Sequence, residues 1–331
     1  MSRMKKLAIT SAVVLALGLA GCTSGTAKQA DSKSLKVVAT TTQICDYTKQ
    51  IAKDKVKLTC LLAPNASAHE LEPTNEQMKA LSEADLLLVN GVDLERFLTQ
   101  AIKASGFKGK TIVTSKGVKT NKWQFKGENG QPPEFKFDPH VWTSPVNAKI
   151  QVENITKTLA EADKTNAKDY EKNGEGYAKQ IASLDKWAEK SIDSIPADER
   201  ILFTSHDAFG YFSQRYGIKF LGAAIPDFSD LGEATAQHLQ ETVDKIKESK
   251  AKVIFAENSN SDKNVKTLAK EANVKVAKED DALYGDSLGP KGSNGETYIG
   301  SIIHNVRSFV LNTGGKVAPL PDDLKAFSKI K

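Results

Sequence analysis

Apolar residues in this chain change their spacing segment by segment. "LKVVATTT" (35–42) is a β-branched run, "QICDYTKQIAKD" (43–54) has apolar residues at helical intervals, and "KVKLTCLLAP" (55–64) is strand-like again. "TNEQMKALSEA" reads as a helix opened by Thr74 as N-cap, with Gln77 three positions on to complete a capping box. "DLLLVNG", "DLERFLTQAIKAS" and "GKTIVTSKG" continue as strand, helix and strand. This alternation predicts a parallel α/β lobe over 35–143. A second set follows. "RILFTSH", "IKFLGAA", "AKVIFAENSN" and "VKVAKED" read as strands, with helices "DAFGYFSQRYG", "EATAQHLQETVDKIKES" and "KNVKTLAKEAN" between them, and predict another such lobe over 196–331.

From 144 to 195 the pattern is helical throughout and holds no strand candidate. Tyr170, Tyr177, Ile181, Leu184 and Ala188 recur at three- and four-residue intervals, so a long helix rather than a loose hinge joins the lobes. Gly174 and Gly176 weaken the middle of that helix without breaking it. Ligands of open α/β sheets collect outside the carboxyl ends of the strands, and two facing lobes make a cleft. The polar residues at those strand ends are therefore the candidates for function.

The amino end adds a location. Arg3, Lys5 and Lys6 precede an apolar run from Leu7 to Ala20 that ends in Leu19-Ala20-Gly21-Cys22. The run is short for a bilayer span and reads as a lipoprotein signal peptide over 1–21, with Cys22 as the acylated mature terminus. Residues 22–34 are small and polar and suit a flexible tether between membrane and domain. Cys45 and Cys60 remain, an even pair in an exported chain, and are expected to form a disulfide closing a loop of about 15 residues, worth ~3 kcal/mol. A net charge of +5 over 331 residues, with Lys interspersed among Asp and Glu, describes a solvated surface and no nucleic-acid patch.

Histidine carries the chemistry. Of five in the chain, His69, His140 and His206 fall at strand-to-helix junctions, whereas His238 and His304 lie inside helical segments and read as structural or surface groups. Imidazole nitrogens suit zinc, and an oxygen ligand completes a tetrahedron or gives manganese a tolerable site. Asp286 is the candidate fourth donor, in a Gly- and Pro-punctuated loop beside apolar Leu283, Tyr284 and Leu288; Asp280 and Asp281 compete with it but read as a solvated acidic cluster.

The segments "NASAHELEPT", "DPHVWTSP", "FTSHDAFGYF" and "YGDSLGPKGSNGETYIGSIIHN" resemble the four ligand-bearing segments of the zinc/manganese solute-binding lipoproteins that feed ABC importers. The likeness extends over the chain from Leu35 onward. It implies two α/β lobes joined by one rigid helix, a metal buried in the interlobe cleft, and His69, His140, His206 and Asp286 as its ligands. It also implies a monomeric, lipid-anchored, extracytoplasmic receptor that passes one metal ion per chain to a membrane permease without catalysis. Manganese members often carry Glu at the third ligand position, where His206 stands here, which favours zinc with manganese as the alternative. Against zinc, "NKWQFKGENGQPPEFKF" lacks the histidines of the loop that many zinc members carry there. Two other classes are weaker. A zinc hydrolase would use Glu70 or Asp207 as general base, yet no His-Glu-x-x-His spacing is present; an adhesin finds no repeats or exposed aromatic patch in the sequence. Three histidines that must lose protons to bind metal should make affinity fall below about pH 6.5.

Overall fold

The computed structural model describes residues 34–122, 136–225 and 236–329. The expected leader, tether and acylated Cys22 fall outside these residues, as does most of the histidine-free "NKWQFKGENGQPPEFKF". Among the described residues no helix is long and apolar enough to cross a membrane.

The first lobe is a four-stranded parallel sheet in the order β2-β1-β3-β4, formed by β1 (Leu35–Ala39), β2 (Val56–Cys60), β3 (Leu86–Val89) and β4 (Lys110–Val113). Ala39 pairs with both Cys60 and Leu88, so three strands end at one level. β3 is buried along its whole length, as a strand covered on both faces must be. The intervening helices are α1 (Thr42–Ala52), α2 (Asn75–Glu83) and α3 (Thr99–Ser105). The capping box at α2 forms: Gln77 N donates to Thr74 Oγ1 at 3.3 Å and Thr74 N to Gln77 Oε1 at 2.9 Å, a feature worth ~1 kcal/mol. A disulfide joins Cys45 on α1 to Cys60 at the end of β2. The single helix expected over 93–105 is instead a 3₁₀ turn, Leu94–Leu98, followed by α3. The cause is Glu95, whose carboxylate folds back to accept from Asn90 N, Gly91 N and Thr40 Oγ1 at 2.6, 3.0 and 2.8 Å.

The linking region is two helices, α4 (Pro145–Ala162) and α5 (Ala167–Ile192), separated by a turn in which Asp163 Oδ1 accepts from Thr165 N and Asn166 N. α5 has 26 residues, about 39 Å at 1.5 Å each. Gly174 does not break it but lets α4 come close, since a Cβ there would lie 2.0 Å from Thr156 Oγ1. Towards the first lobe, Tyr177 OH donates to Asp46 Oδ2 at 3.0 Å and Asn173 Nδ2 to Ile51 O at 2.9 Å.

The second lobe pairs β5 (Ile201–His206) with β6 (Lys219–Ile225), and β7 (Val253–Ile254) with β8 (Lys275–Val276), all parallel. Phe255 N donates to Phe203 O at 2.9 Å and joins the two pairs. The helices are α6 (Gly210–Tyr216), α7 (Ala236–Glu248), α8 (Lys263–Ala272) and a closing α9 (Tyr298–Asn312). Ladder pairing in β7 and β8 is shorter than their apolar runs suggest, because beyond Ile254 the chain leaves the ladder and meets Leu283 only through a bridge at Glu257. That departure carries Glu257 and Asn258 towards the cleft. Arg215 on α6 clamps α5 through Asp185 and Glu189, and Tyr298 N, at the start of α9, donates to Asp46 Oδ2 at 3.0 Å. One apolar cluster runs from Val37 and Tyr47 through Tyr177 and Trp187 to Phe309, so both lobes and α5 share a core.

Candidate metal centre

Four segments converge outside the carboxyl ends of the strands. His69 follows β2 in a loop where Asn65 adopts a left-handed φ of 60° and Ser67 Oγ accepts from His69 N at 3.1 Å. Gln77 of the capping box ties the start of α2, where that loop ends, to the residue just past β2 by donating Nε2 to Leu61 O at 2.8 Å. His140 precedes a 3₁₀ turn, Val141–Thr143, and His206 is the last residue of β5. Asp286 lies in the loop between β8 and α9, with Leu283 and Leu288 buried beside it.

The donor atoms of His69, His140, His206 and Asp286 all lie within 4.8 Å of one another. Nε2 of His69 is 3.1 Å from Nε2 of His140, and Asp286 Oδ1 is 3.0 Å from His206 Nε2 and 3.4 Å from His140 Nε2. Asp286 Oδ2 faces His69 Nε2 at 3.6 Å, so both carboxylate oxygens point into the cluster. His140, His206 and Asp286 are fully buried and His69 nearly so.

Two histidines are aimed by carboxylates behind them. Asp138 Oδ1 accepts from His140 N and lies 2.9 Å from Nδ1. Glu257 does the same for His206, with Oε1 accepting from its N at 2.9 Å and Oε2 2.8 Å from Nδ1. A proton held at Nδ1 leaves the Nε2 lone pair for the cluster, the usual arrangement of ligating histidines. Burial works against the charged form of His140, but Asp138 and Asp286 outweigh it and push the pKa up to about 9. Burial likewise opposes charge on His206, yet Asp286 and Glu257 raise it well above the ordinary value. Burial favours protonated Asp286, but His206, His69 and the hydrogen bond from His140 hold it well below the usual carboxylate range. The arrangement is an anion with three nitrogen donors around one point, shielded from water, which is what a divalent cation requires.

The remaining candidates lie elsewhere. His238 Nε2 is 3.2 Å from Ala223 O, and His304 Nε2 is 2.9 Å from Ala282 O. Asp280 and Asp281 sit in a 3₁₀ turn, where Asp281 Oδ2 accepts from Asn312 Nδ2. Glu70 is exposed, while Asp207 is buried next to His206 and burial, reinforced by Asp138, raises it to about 7. Sequence reasoning missed Asp138 and Glu257. A carboxylate two residues before His140, and another just past an apolar strand, were the available signals.

Comparison with known proteins gives the family and its fold. The model of the family described as zinc-uptake complex component A, periplasmic, matches residues 37–311. The chain is 33% identical over 310 residues to the metal ABC transporter substrate-binding lipoprotein SsaB of Streptococcus sanguinis, covering 92% of this chain and 97% of that one. It is 32% identical over 311 residues to the manganese ABC transporter substrate-binding lipoprotein PsaA of Streptococcus pneumoniae, with the same coverage. Among solved structures it is similar to the periplasmic zinc-binding protein TroA of Treponema pallidum, with a TM-score of 0.75 at 28% identity over 84% of this chain and 98% of that chain. A Mn-bound periplasmic metal-binding protein of Candidatus Liberibacter asiaticus gives a TM-score of 0.72 at 27% identity, over 84% of this chain and 98% of the other.

Proposed function

We propose that this chain, which belongs to the family of periplasmic zinc-uptake complex A components, is an extracytoplasmic receptor that captures a divalent metal ion and delivers it to the permease of an ABC importer. The observation that carries the reading is the buried convergence of His69, His140, His206 and Asp286. In it the metal is cargo. Three imidazoles and one carboxylate are a donor set that zinc takes readily, and zinc is the proposed ion. Manganese is the second reading, favoured by one feature: both oxygens of Asp286 face the cluster, so a bidentate carboxylate could give the harder ion a fifth contact. Relatives divide the same way, since SsaB is named for metal, PsaA for manganese and TroA for zinc.

A receptor role also fits the closed character of the site. Catalytic zinc keeps an open position for water, whereas here four donors surround one buried point and Glu70 is exposed. Acylation of Cys22 would tether the receptor, as a monomer, to the outer face of the cell membrane beside its permease. Metal analysis of protein purified without added metal, followed by zinc–manganese competition, tests the reading. One bound ion per chain with zinc displacing manganese supports it; absence of stoichiometric metal, or no preference for either ion over calcium, refutes it.

A further inference from the structure

The loop that carries Asp286 follows β8 in the chain, yet residues of the first lobe and of the 3₁₀ turn Val141–Thr143 bond to it. Gln43 Nε2, on α1, donates to Asp286 O at 3.1 Å, and its Oε1 accepts from Thr42 Oγ1 at 3.2 Å. Thr42 Oγ1 in turn accepts from Leu288 N at 2.8 Å. Trp142 Nε1 donates to Gly285 O at 2.9 Å, Asn65 N to Leu288 O at 3.1 Å, and Ala68 N to Asp286 Oδ2 at 3.4 Å. Three residues of the loop, 285, 286 and 288, thus bond to the side that carries His69 and His140. Gln43 and Trp142 are themselves 2% exposed, so these bonds do not compete with bulk water. The second lobe contributes Asn258, which holds Ser287 O at 3.1 Å and accepts from Gly285 N at a longer 3.4 Å, and Asn305 on α9, which brackets Tyr284 by accepting from its N and donating to its O, both at 2.9 Å.

His206 is held differently. Its backbone and Nδ1 bind Glu257, its Nδ1 lies 3.2 Å from Asn260 Nδ2, and its strand pairs with β6 at Ile225, all within the second lobe. Across the cleft its ring lies near those of His140 and His69, with centroids 5.3 and 6.1 Å away, and Tyr211 braces the two sides by donating to Asp138 O at 2.8 Å.

We infer that His69, His140 and Asp286 form one preassembled three-donor half-site, with Asp286 positioned by Thr42, Gln43 and Trp142, and that His206 is the closing ligand supplied by the second lobe. The inference rests on the ligand set proposed above. Metal capture then has two stages: three donors take the ion, and the approach of His206 completes its shell. Trp142, Gln43 and Thr42 are positioning residues, because they touch the loop and not the ion.

A zinc competition titration on the full chain, run as double-mutant cycles, tests this. Trp142→Phe removes one N–H and should weaken zinc binding about 10-fold, the lower range for lost supporting contacts. That factor should persist in a His206→Ala background and vanish in an Asp286→Ala background. Gln43→Leu provides a second variant at the same loop, with melting of the metal-free form as the folding control. His206→Ala should still bind one zinc per chain, more tightly than Asp286→Ala does. The half-site is overturned if the Trp142→Phe factor vanishes with His206→Ala but persists with Asp286→Ala, or if His206→Ala binds more weakly than Asp286→Ala. If His69→Ala, His206→Ala and Asp286→Ala all bind zinc as the parent does, the ligand set itself is wrong.

Discussion

His69 and His304 are each 6% exposed, yet their surroundings differ in kind. At His304 the ring packs edge-on against Tyr284, centroids 5.0 Å apart, and Nε2 donates to the Ala282 carbonyl at 2.9 Å. Burial depresses its pKa, so the neutral ring is satisfied as it stands. At His69, Nε2 lies 3.1 Å from Nε2 of His140 and 3.6 Å from a buried carboxylate oxygen of Asp286. Burial therefore does not distinguish a ligand from a packed histidine. What distinguishes them is whether the ring nitrogen meets a single backbone carbonyl or lies among ligand atoms of three other buried side chains within 4.8 Å of one another.

The contrast is broken most forcefully at His69. His69→Ala should cost more zinc affinity than the ~10–100-fold typical of lost supporting contacts, with the fold intact; isothermal titration with an unchanged affinity would remove His69 from the site. Next comes pH. The two carboxylate-backed histidines move the sensitive window above the 6.5 expected from the sequence. In the metal-free chain His140 titrates at about 9 against an ordinary 6.5, so its charged form contributes stability fully below 6.5 and loses it as pH rises through 9. Zinc takes only neutral imidazole, so its apparent affinity should climb over that same interval while the metal-free melting temperature falls. Titrations in buffers of different ionisation enthalpy should detect proton release at pH 7.5; release of none would contradict the charged histidines.

Smaller effects sharpen the picture. Asp138→Asn and Glu257→Gln leave all four ligands in place and should weaken zinc binding ~10–100-fold through loss of His140 and His206 orientation. Equal affinities for parent and both variants, measured by dye competition, would show that the backing carboxylates do not tune the site. The least effect belongs to His304→Gln, which keeps a donor near Ala282 O: one metal per chain, unchanged affinity, and a stability loss of about 1 kcal/mol in thermal melts.

Much of the candidate site was legible because the proposed ligands sit where periodicity changes. His206 ends a buried strand and His69 lies between a strand and the Thr74 cap, positions that the alternation of apolar runs locates without coordinates. Contacts between distant segments were not legible. Gln43 lies 243 residues from Asp286, and nothing in "TTTQICDY" announces that its amide holds that loop. Local patterns also misled where a side chain overrode them: Glu95 reads as a helix former but bends the chain to bond Asn90 N and Gly91 N. The apolar run at 251–260 reads as one strand, yet its ladder pairing covers only Val253–Ile254 because the chain turns off to place Glu257 behind His206.

X-ray absorption at the zinc edge, on protein loaded with one equivalent of zinc, tests the central claim that these four side chains form one metal site. The account predicts a shell of three imidazole nitrogens at about 2.0–2.1 Å plus carboxylate oxygen, with one nitrogen lost in His69→Ala and none lost in His304→Gln. A shell of oxygens alone, or one unaltered by His69→Ala, would contradict it.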